Sequence, residues 1–376
     1  MRRIILFLLM FSVFSLLPGC RAAENRQEIL VGVNLALTGI SAPYGNDALT
    51  GIQLATKEYN ASGGIFGREI KLLIIDNASK SDLAAEAVRR LEKNRVTAIL
   101  GPSLSHLTRA AAKALTKETC LLTPGATAQS LRPFGAEKAH IIRLCFTDEA
   151  QGRMLADKMF SMGIRQAAVV FDPASDYSVS LSAAFAEAFS KQGGNVCEQL
   201  SFPERTAEAA PLIHRLKNSG TQALLLPLFY DKGGLFLRQM AEYDCLLPVF
   251  SGDGFGNPAL SLLAGKKAEE IPVFYTDHTA PEAREIQTGE GKTTLGAYAA
   301  LGYDTAMTLF EALSILPENV WNTEEFDHAL LYETLLQTDR VGLTGAYTFS
   351  SAGDAFKTPV LITLEKGEPI CYQEAA

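Results

Sequence analysis

The sequence predicts an α/β protein made of two Rossmann-like domains with parallel sheets. Three observations predict it. Short, continuous apolar runs alternate with segments of helical spacing from Ile29 onward, the pattern of strands buried on both faces by helices. The series starts again after Ile141–Phe146 with enough elements for a second domain. The chain has 376 residues, 47% of them hydrophobic, enough for two cores at ~100–200 residues per domain.

The elements follow in order. Ile29–Leu37 reads as a strand. Asn46–Asn60 reads as a helix with Leu49, Ile52, Ala55 and Tyr59 on one face, stopped by Ser62-Gly63-Gly64. Ile70–Ile75 is a strand, and Ala84, Ala87, Val88 and Leu91 mark a helix. Ala98–Leu100 is a strand, Leu107, Ala110, Ala111 and Ala114 mark a helix, and Cys120–Thr123 is a strand. The second series runs helix Asp148–Met162, strand Ala167–Phe171, helix Asp176–Gln192, strand Val196–Phe202 and helix Glu208–Asn218. Strand Ala223–Leu228, helix Gly234–Tyr243 and strands Leu247–Phe250 and Val273–Tyr275 complete it. Thr276–Thr294 is polar and punctuated by Gly and Pro, so it reads as loop. Helices Leu295–Leu316 and Glu324–Gln337 and strands Tyr347–Ser350 and Pro359–Leu364 close the chain.

The N-terminus carries a different signal. Met1-Arg2-Arg3, an apolar run from Ile4 to Leu17 and then Leu17-Pro18-Gly19-Cys20 describe an export signal with a cleavage site. The run is too short to span a bilayer of ~20 residues' depth. The Leu-x-Gly-Cys ending is similar to a bacterial lipoprotein signal, with Cys20 as the acylated residue. Residues 1–20 are therefore expected to be a lipoprotein signal peptide. The rest is expected outside the cytoplasm, tethered in the cell envelope by a lipid.

Composition excludes several functions. A net charge of −8 argues against a nucleic-acid partner, which needs a basic face. Cys120, Cys145, Cys197, Cys245 and Cys371 are odd in number and widely spread, so they form no disulfide scaffold. There is no G-x-S-x-G, and the five histidines lack zinc spacing. Gly291-Lys292-Thr293 lacks the first glycine of a P-loop, and Gly252-Asp253-Gly254-Phe255-Gly256 is not a dinucleotide fingerprint. No enzyme motif, metal or cofactor is expected.

Ligands of open α/β sheets bind beyond the carboxyl ends of the strands. Those ends carry Tyr44 in Pro43-Tyr44-Gly45, Ser105 in Gly101-Pro102-Ser103-Leu104-Ser105, and Gly125 with Thr127 in Thr123-Pro124-Gly125-Ala126-Thr127. Hydroxyls beside free N–H groups at a helix start suit a carboxylate. On spacing alone a helix cap at Ser105 and a turn at Thr127 are the favoured alternative, since caps are the commoner use. The second series offers Tyr177, Phe229, Tyr230 and Asp253 between Gly252 and Gly254. Anion-binding hydroxyls on one side and a carboxylate with aromatics on the other complement a zwitterion.

Together these segments resemble the branched-chain amino-acid (Leu/Ile/Val) binding proteins of ATP-binding-cassette importers. The resemblance spans about Ile29 to Ile362. It rests on Leu37-Thr38-Gly39 with Tyr44-Gly45, Asn60-Ala61-Ser62-Gly63-Gly64-Ile65-Phe66-Gly67, Ile99-Leu100-Gly101-Pro102 and Thr123-Pro124-Gly125-Ala126-Thr127. Ser251-Gly252-Asp253-Gly254, Gly302-Tyr303-Asp304 and Leu343-Thr344-Gly345 with Phe349 and Gly353-Asp354 add to it. It implies a type I periplasmic-binding fold whose two lobes close on a hinge of three crossovers, near Phe146, Tyr275 and Ser350. One lobe would comprise residues 25–146 and 276–349, the other 147–275 and 350–376. It further implies Ser105, Thr127 and the backbone near Gly125 on the ligand carboxylate, and Asp253 with Phe229 or Tyr230 on the ammonium. Tyr44, Tyr177 and Tyr298 would line the rest. Asp253 stands where the family often has glutamate, and Thr276–Thr294 looks like an insert at the cleft rim. The implied partner is an importer permease, and a monomer is expected. A sensor or protein-interaction lipoprotein of the same fold is the alternative.

Overall fold

A computed structural model describes residues 28–129, 131, 139–203, 209–288, 291–322 and 325–373. The signal segment 1–20, with Cys20, lies outside the described residues.

Strands β1 (Ile29–Leu35), β2 (Ile70–Asp76), β3 (Ile99–Leu100), β4 (Leu121–Thr123) and β5 (Ile141–Arg143) form one sheet in the order β2-β1-β3-β4-β5. Every pairing in it is parallel. Its helices are α1 (Ala42–Ala61), α2 (Ser81–Lys93) and α3 (Ser105–Ala114). Strand residues Val31, Val33 and Leu35 are fully buried, as continuous apolar strands of a two-sided sheet must be.

The second sheet uses β6 (Gln166–Phe171), β7 (Asn195–Ser201), β8 (Ala223–Leu225), β9 (Val249–Ser251) and β10 (Val273–Asp277). With them come β16 (Val360–Glu365) and β17 (Glu368–Cys371), in the order β17-β16-β10-β9-β8-β6-β7. Its helices are α4 (Asp148–Ser161), α5 (Asp176–Lys191), α6 (Ala210–Asn218), α7 (Tyr230–Glu242) and the short α8 (Ala259–Ala264). This sheet is not wholly parallel: β16 runs antiparallel to β10 and to β17. The closing strand returns from outside the βα series, so no crossover helix forces it parallel.

After β10 the chain goes back to the first sheet. Helix α9 (Ala297–Ser314) lies along α1, and α10 (His328–Leu336) completes the same core. A small sheet of β13 (Asp339–Gly342), β14 (Gly345–Phe349) and β15 (Ala355–Phe356) precedes β16. The chain thus passes between the two sheets three times, after Arg143, after Asp277 and between Phe356 and Val360.

Several expectations are corrected. Thr276–Thr294 is not a loop. It contains the end of β10, a 3-10 turn at Pro281–Arg284 and an antiparallel hairpin of β11 (Glu285–Thr288) and β12 (Gly291–Thr294). Its polar composition hid the pairing. Helix α1 starts at Ala42, not Asn46, because Pro43 sits in the first turn, where a missing N–H costs nothing. Tyr44 is therefore a helical residue. Helix α7 starts at Tyr230 rather than Gly234. Cys120, Cys145, Cys197, Cys245 and Cys371 are all free thiols, and burial pushes Cys120 and Cys145 far above the usual thiol range. They act as small apolar side chains.

Among the described residues no helix is long and apolar enough to cross a membrane. Among the same residues no cluster of His, Cys, Asp and Glu could hold a metal ion.

Candidate functional site

The carboxyl ends of the two sheets face each other, and the side chains that meet there come from α1, α9, the loops after β3 and β4, and the second sheet. Tyr44 is buried, with its ring 4.9 Å from Tyr298, 5.3 Å from Phe229 and 5.7 Å from Tyr230. Tyr177 packs on Phe229 at 5.1 Å. Tyr44 and Tyr298 ride on α1 and α9, so the helix pair that builds the first core also aims two phenols at the seam.

Hydrogen bonds cross that seam. The Tyr44 hydroxyl donates to the Gly254 carbonyl at 3.0 Å, and the Tyr298 hydroxyl donates to Asp253 Oδ2 at 3.0 Å. The Gln129 N–H donates to Ser180 Oγ at 2.9 Å, and Arg109 pairs with Asp176 at 2.6 Å. A cavity of about 170 Å³ opens at the edge, lined by Ile40, Tyr44, His106, Phe229, Asp231 and Lys232 among others. It is smaller than the ~300–1,000 Å³ of typical ligand sites. A ligand needs the aromatics to part.

Asp253 opens a 3-10 turn after β9 and is 2% exposed. Its Oδ1 accepts from Gln151 Nε2 at 3.1 Å, and its N–H donates to Gln151 Oε1 at 2.9 Å. Its Oδ2 lies 3.1 Å from Nε2 of the buried His278. Gly252 and Gly254 are needed here. A Cβ on Gly252 would lie 2.5 Å from the Tyr177 hydroxyl and 2.6 Å from Gln151 Oε1, and one on Gly254 would lie 2.7 Å from the Leu228 carbonyl. The Gly254 N–H donates to the Tyr177 hydroxyl at 3.2 Å.

Gln151 also joins Asp253 to a second acid. Its Nε2 donates to Asp148 Oδ1 at 2.9 Å. Burial, then the charge of Asp253, raises the Asp148 carboxyl to about 7. Burial likewise raises the Tyr44, Tyr177 and Tyr298 hydroxyls well above the usual range. These phenols stay protonated and remain donors.

The hydroxyl-rich turns differ from their expected form. The cap of α3 is Leu104, and Ser105 is the first helical residue, so the cap reading of Ser105 is overturned. Ser105 Oγ accepts from the Ala128 N–H at 3.1 Å. The Ala126 N–H donates to Thr123 Oγ1. Together with Gln129, these bonds occupy most of the N–H groups expected to be free around Thr127. The Thr127 carbonyl accepts from the Asp148 N–H at 2.8 Å and from Arg143 Nη1 at 3.0 Å. Arg143 also reaches the Ala126 and Ala128 carbonyls and Asp354, so it pins the turn from behind. Gly125 lies under Tyr298, where a Cβ would sit 2.4 Å from the ring. Ser103 Oγ, not singled out from the sequence, is buried without a hydrogen-bond partner.

Of the expected residues, Tyr44, Tyr177, Phe229, Tyr230, Asp253, Tyr298 and Gly125 come together. The Ser105 hydroxyl binds the neighbouring turn, and Thr127 is engaged by Asp148 and Arg143. Gln151, Asp148 and His278 were missed. Gln151 lies 102 residues from Asp253, and His278 lies in the stretch read as loop, so no local pattern marks either.

Comparison with known proteins identifies the family and the fold. A family model described as "Periplasmic binding protein" matches residues 28–362. The Leu/Ile/Val-binding protein homolog 3 of Brucella melitensis is 26% identical over 292 residues, 74% of this chain and 78% of that protein. The leucine-binding protein LivK of Thermotoga maritima superposes with a TM-score of 0.80 at 25% identity, over 92% of this chain and 98% of that one. LivJ of Streptococcus pneumoniae, in complex with isoleucine, gives 0.79 at 24% identity, over 93% and 98%. The chain therefore belongs to the periplasmic binding protein family and has its type I fold.

Proposed function

We propose that this protein is an exported lipoprotein that captures a small amino acid or a related compound and hands it to an ATP-binding-cassette importer. It performs no chemistry. The observation that carries the reading is the meeting of Tyr44 and Tyr298 with Phe229, Tyr177 and Asp253 at the seam between the two sheets. The relatives support it, being Leu/Ile/Val-binding proteins by name. We place one lobe at residues 25–146 with 276–349 and the other at 147–275 with 350–376. The lobes part about the three crossings, and ligand contacts on both sides favour closure by differential affinity. Tyr44, Tyr177, Phe229, Tyr230 and Tyr298 bind the apolar part of the ligand. Ser105, Gly125 and Thr127 form its carboxylate side, and Asp253 its polar end.

A thermal-shift panel of amino acids, 2-oxo acids and aromatic acids tests this reading. A ligand at 100 times its Kd stabilises by ~2.7 kcal/mol, a clear rise in Tm. No shift with any small molecule turns the reading toward a sensor or protein-interaction lipoprotein of the same fold.

The anchor has its own test. Cys20→Ser should move the protein from the membrane fraction to the soluble envelope fraction. Unchanged fractionation with membranes refutes acylation at Cys20.

A further inference from the structure

The acceptors around Asp253 are already used. An ionised carboxylate offers about four lone-pair sites. Gln151, Tyr298 and His278 fill three of them at 3.0–3.1 Å. Two nearby neutral acceptors are occupied too. Gln151 Oε1 takes the Asp253 N–H and the Thr276 hydroxyl, and the Gly254 carbonyl takes the Tyr44 hydroxyl. An α-ammonium group brings three donors and no acceptor. It would meet a site with few lone pairs left.

His278 fills the second position on Oδ2, beside Tyr298. Its side chain is fully buried, stacked on Phe146 at 4.3 Å and edge-on to Tyr298 at 5.8 Å. With its proton on Nε2, His278 donates to Oδ2, which as a carboxylate oxygen can only accept. Asp148, joined to Asp253 through Gln151, keeps Oδ2 without a partner, while two other charges near this point are committed elsewhere. Asp277 pairs with Arg284 at 2.6 Å, and Arg143 binds Asp354. His278 is thus the internal counter-group that an amino acid's ammonium would otherwise supply. The opposite side of the seam has a donor to spare. The Ser103 hydroxyl, 3% exposed, has no partner. Its own carbonyl lies beside Gly125, under the Tyr298 ring. A hydroxyl left without a partner, across from a carboxylate that already holds three donors, fits a ligand that accepts.

We propose that His278 makes this site selective for small apolar carboxylic acids that lack an α-ammonium group, by occupying the face of Asp253 that an ammonium would need. The proposal rests on the solute-capture reading above and names the ligand class within it.

Calorimetry of the purified protein with three probes tests it: L-leucine, its 2-oxo counterpart 4-methyl-2-oxopentanoate, and 4-methylpentanoate. The native protein should bind the 2-oxo acid at least tenfold more tightly than L-leucine. His278→Ala should move that ratio tenfold or more toward L-leucine, because Asp253 is then open to the ammonium. His278→Gln, which keeps an N–H donor, should restore the native order. A merely structural role for His278 would weaken all three probes alike. Native preference for L-leucine, or no clear preference, overturns this inference and leaves solute capture standing. An unchanged ratio in folded His278→Ala also overturns it. Binding of none of the three probes overturns this inference, and no shift across the wider thermal-shift panel overturns solute capture as well. If His278→Ala does not fold, the native ratio and His278→Gln decide.

Discussion

Gly302→Val should destabilise the protein by more than about 3 kcal/mol, beyond ordinary overpacking. Helices α1 and α9 touch backbone to backbone. A Cβ on Gly302 would lie 2.2 Å from the Ala48 carbonyl oxygen, and one on Gly51 would lie 1.8 Å from the Ala299 carbonyl oxygen. Neither obstacle is a side chain that can turn away. The helices would have to separate, and Ile52, Leu309, Phe310 and Leu313 around them are fully buried. The sign of the smaller change is the sharper test. In an ordinary helix interior, Gly→Ala stabilises by about 1 kcal/mol. Here Gly302→Ala should destabilise. Thermal and denaturant melts of both variants check this, and a Gly302→Ala protein as stable as the native one would sink the claim of backbone contact.

Asp148→Asn should stabilise the protein at pH 8 and change little near pH 4. The folded-state value of about 7 compares with about 3.9 for an aspartate in an unfolded chain. Folding therefore takes up a proton between those values. The carboxyl is least costly below pH 4, and its cost grows as pH rises toward 7. About three units correspond to about 4 kcal/mol once the group is fully ionised in both states. Asparagine can still accept from Gln151 and carries no charge to desolvate. Melting temperatures of the two proteins should diverge across pH 4–8. A constant gap over that range would mean that Asp148 is not the titrating group.

Much of the fold was legible because buried parallel strands write themselves as apolar runs. Val31–Leu35, Leu121–Leu122 and Val169–Val170 are such runs, and all are buried. Helix faces were legible from spacing, as at Ala84, Ala87, Val88 and Leu91. Boundaries drifted where a strong local residue misled, as with Pro43 at the start of α1. The hairpin at Glu285–Thr294 was invisible because its pairing buries little apolar surface. At the site, residues at strand ends were legible from topology alone. The pairing of Asp253 with Gln151 and His278 was not, since it depends on how three separate elements meet. Nor could spacing tell that the Ser105 hydroxyl is spent on Ala128 while Ser103 is left over.

The contact between α1 and α9 also bears on the order in which the chain assembles. Strands β1–β5 end at Arg143, yet the core they need includes Leu309, Phe310, Leu313 and Leu331. Those residues are synthesised only after the whole βα series of the second sheet. Until then the first sheet has an uncovered apolar face, and closing so long a loop delays its completion. The later-made half, β6 to β10 with its helices, therefore gains most of its core first. Vectorial emergence does not give N-terminal-first folding in this topology. The first half is expected to stay open until its far helix is made.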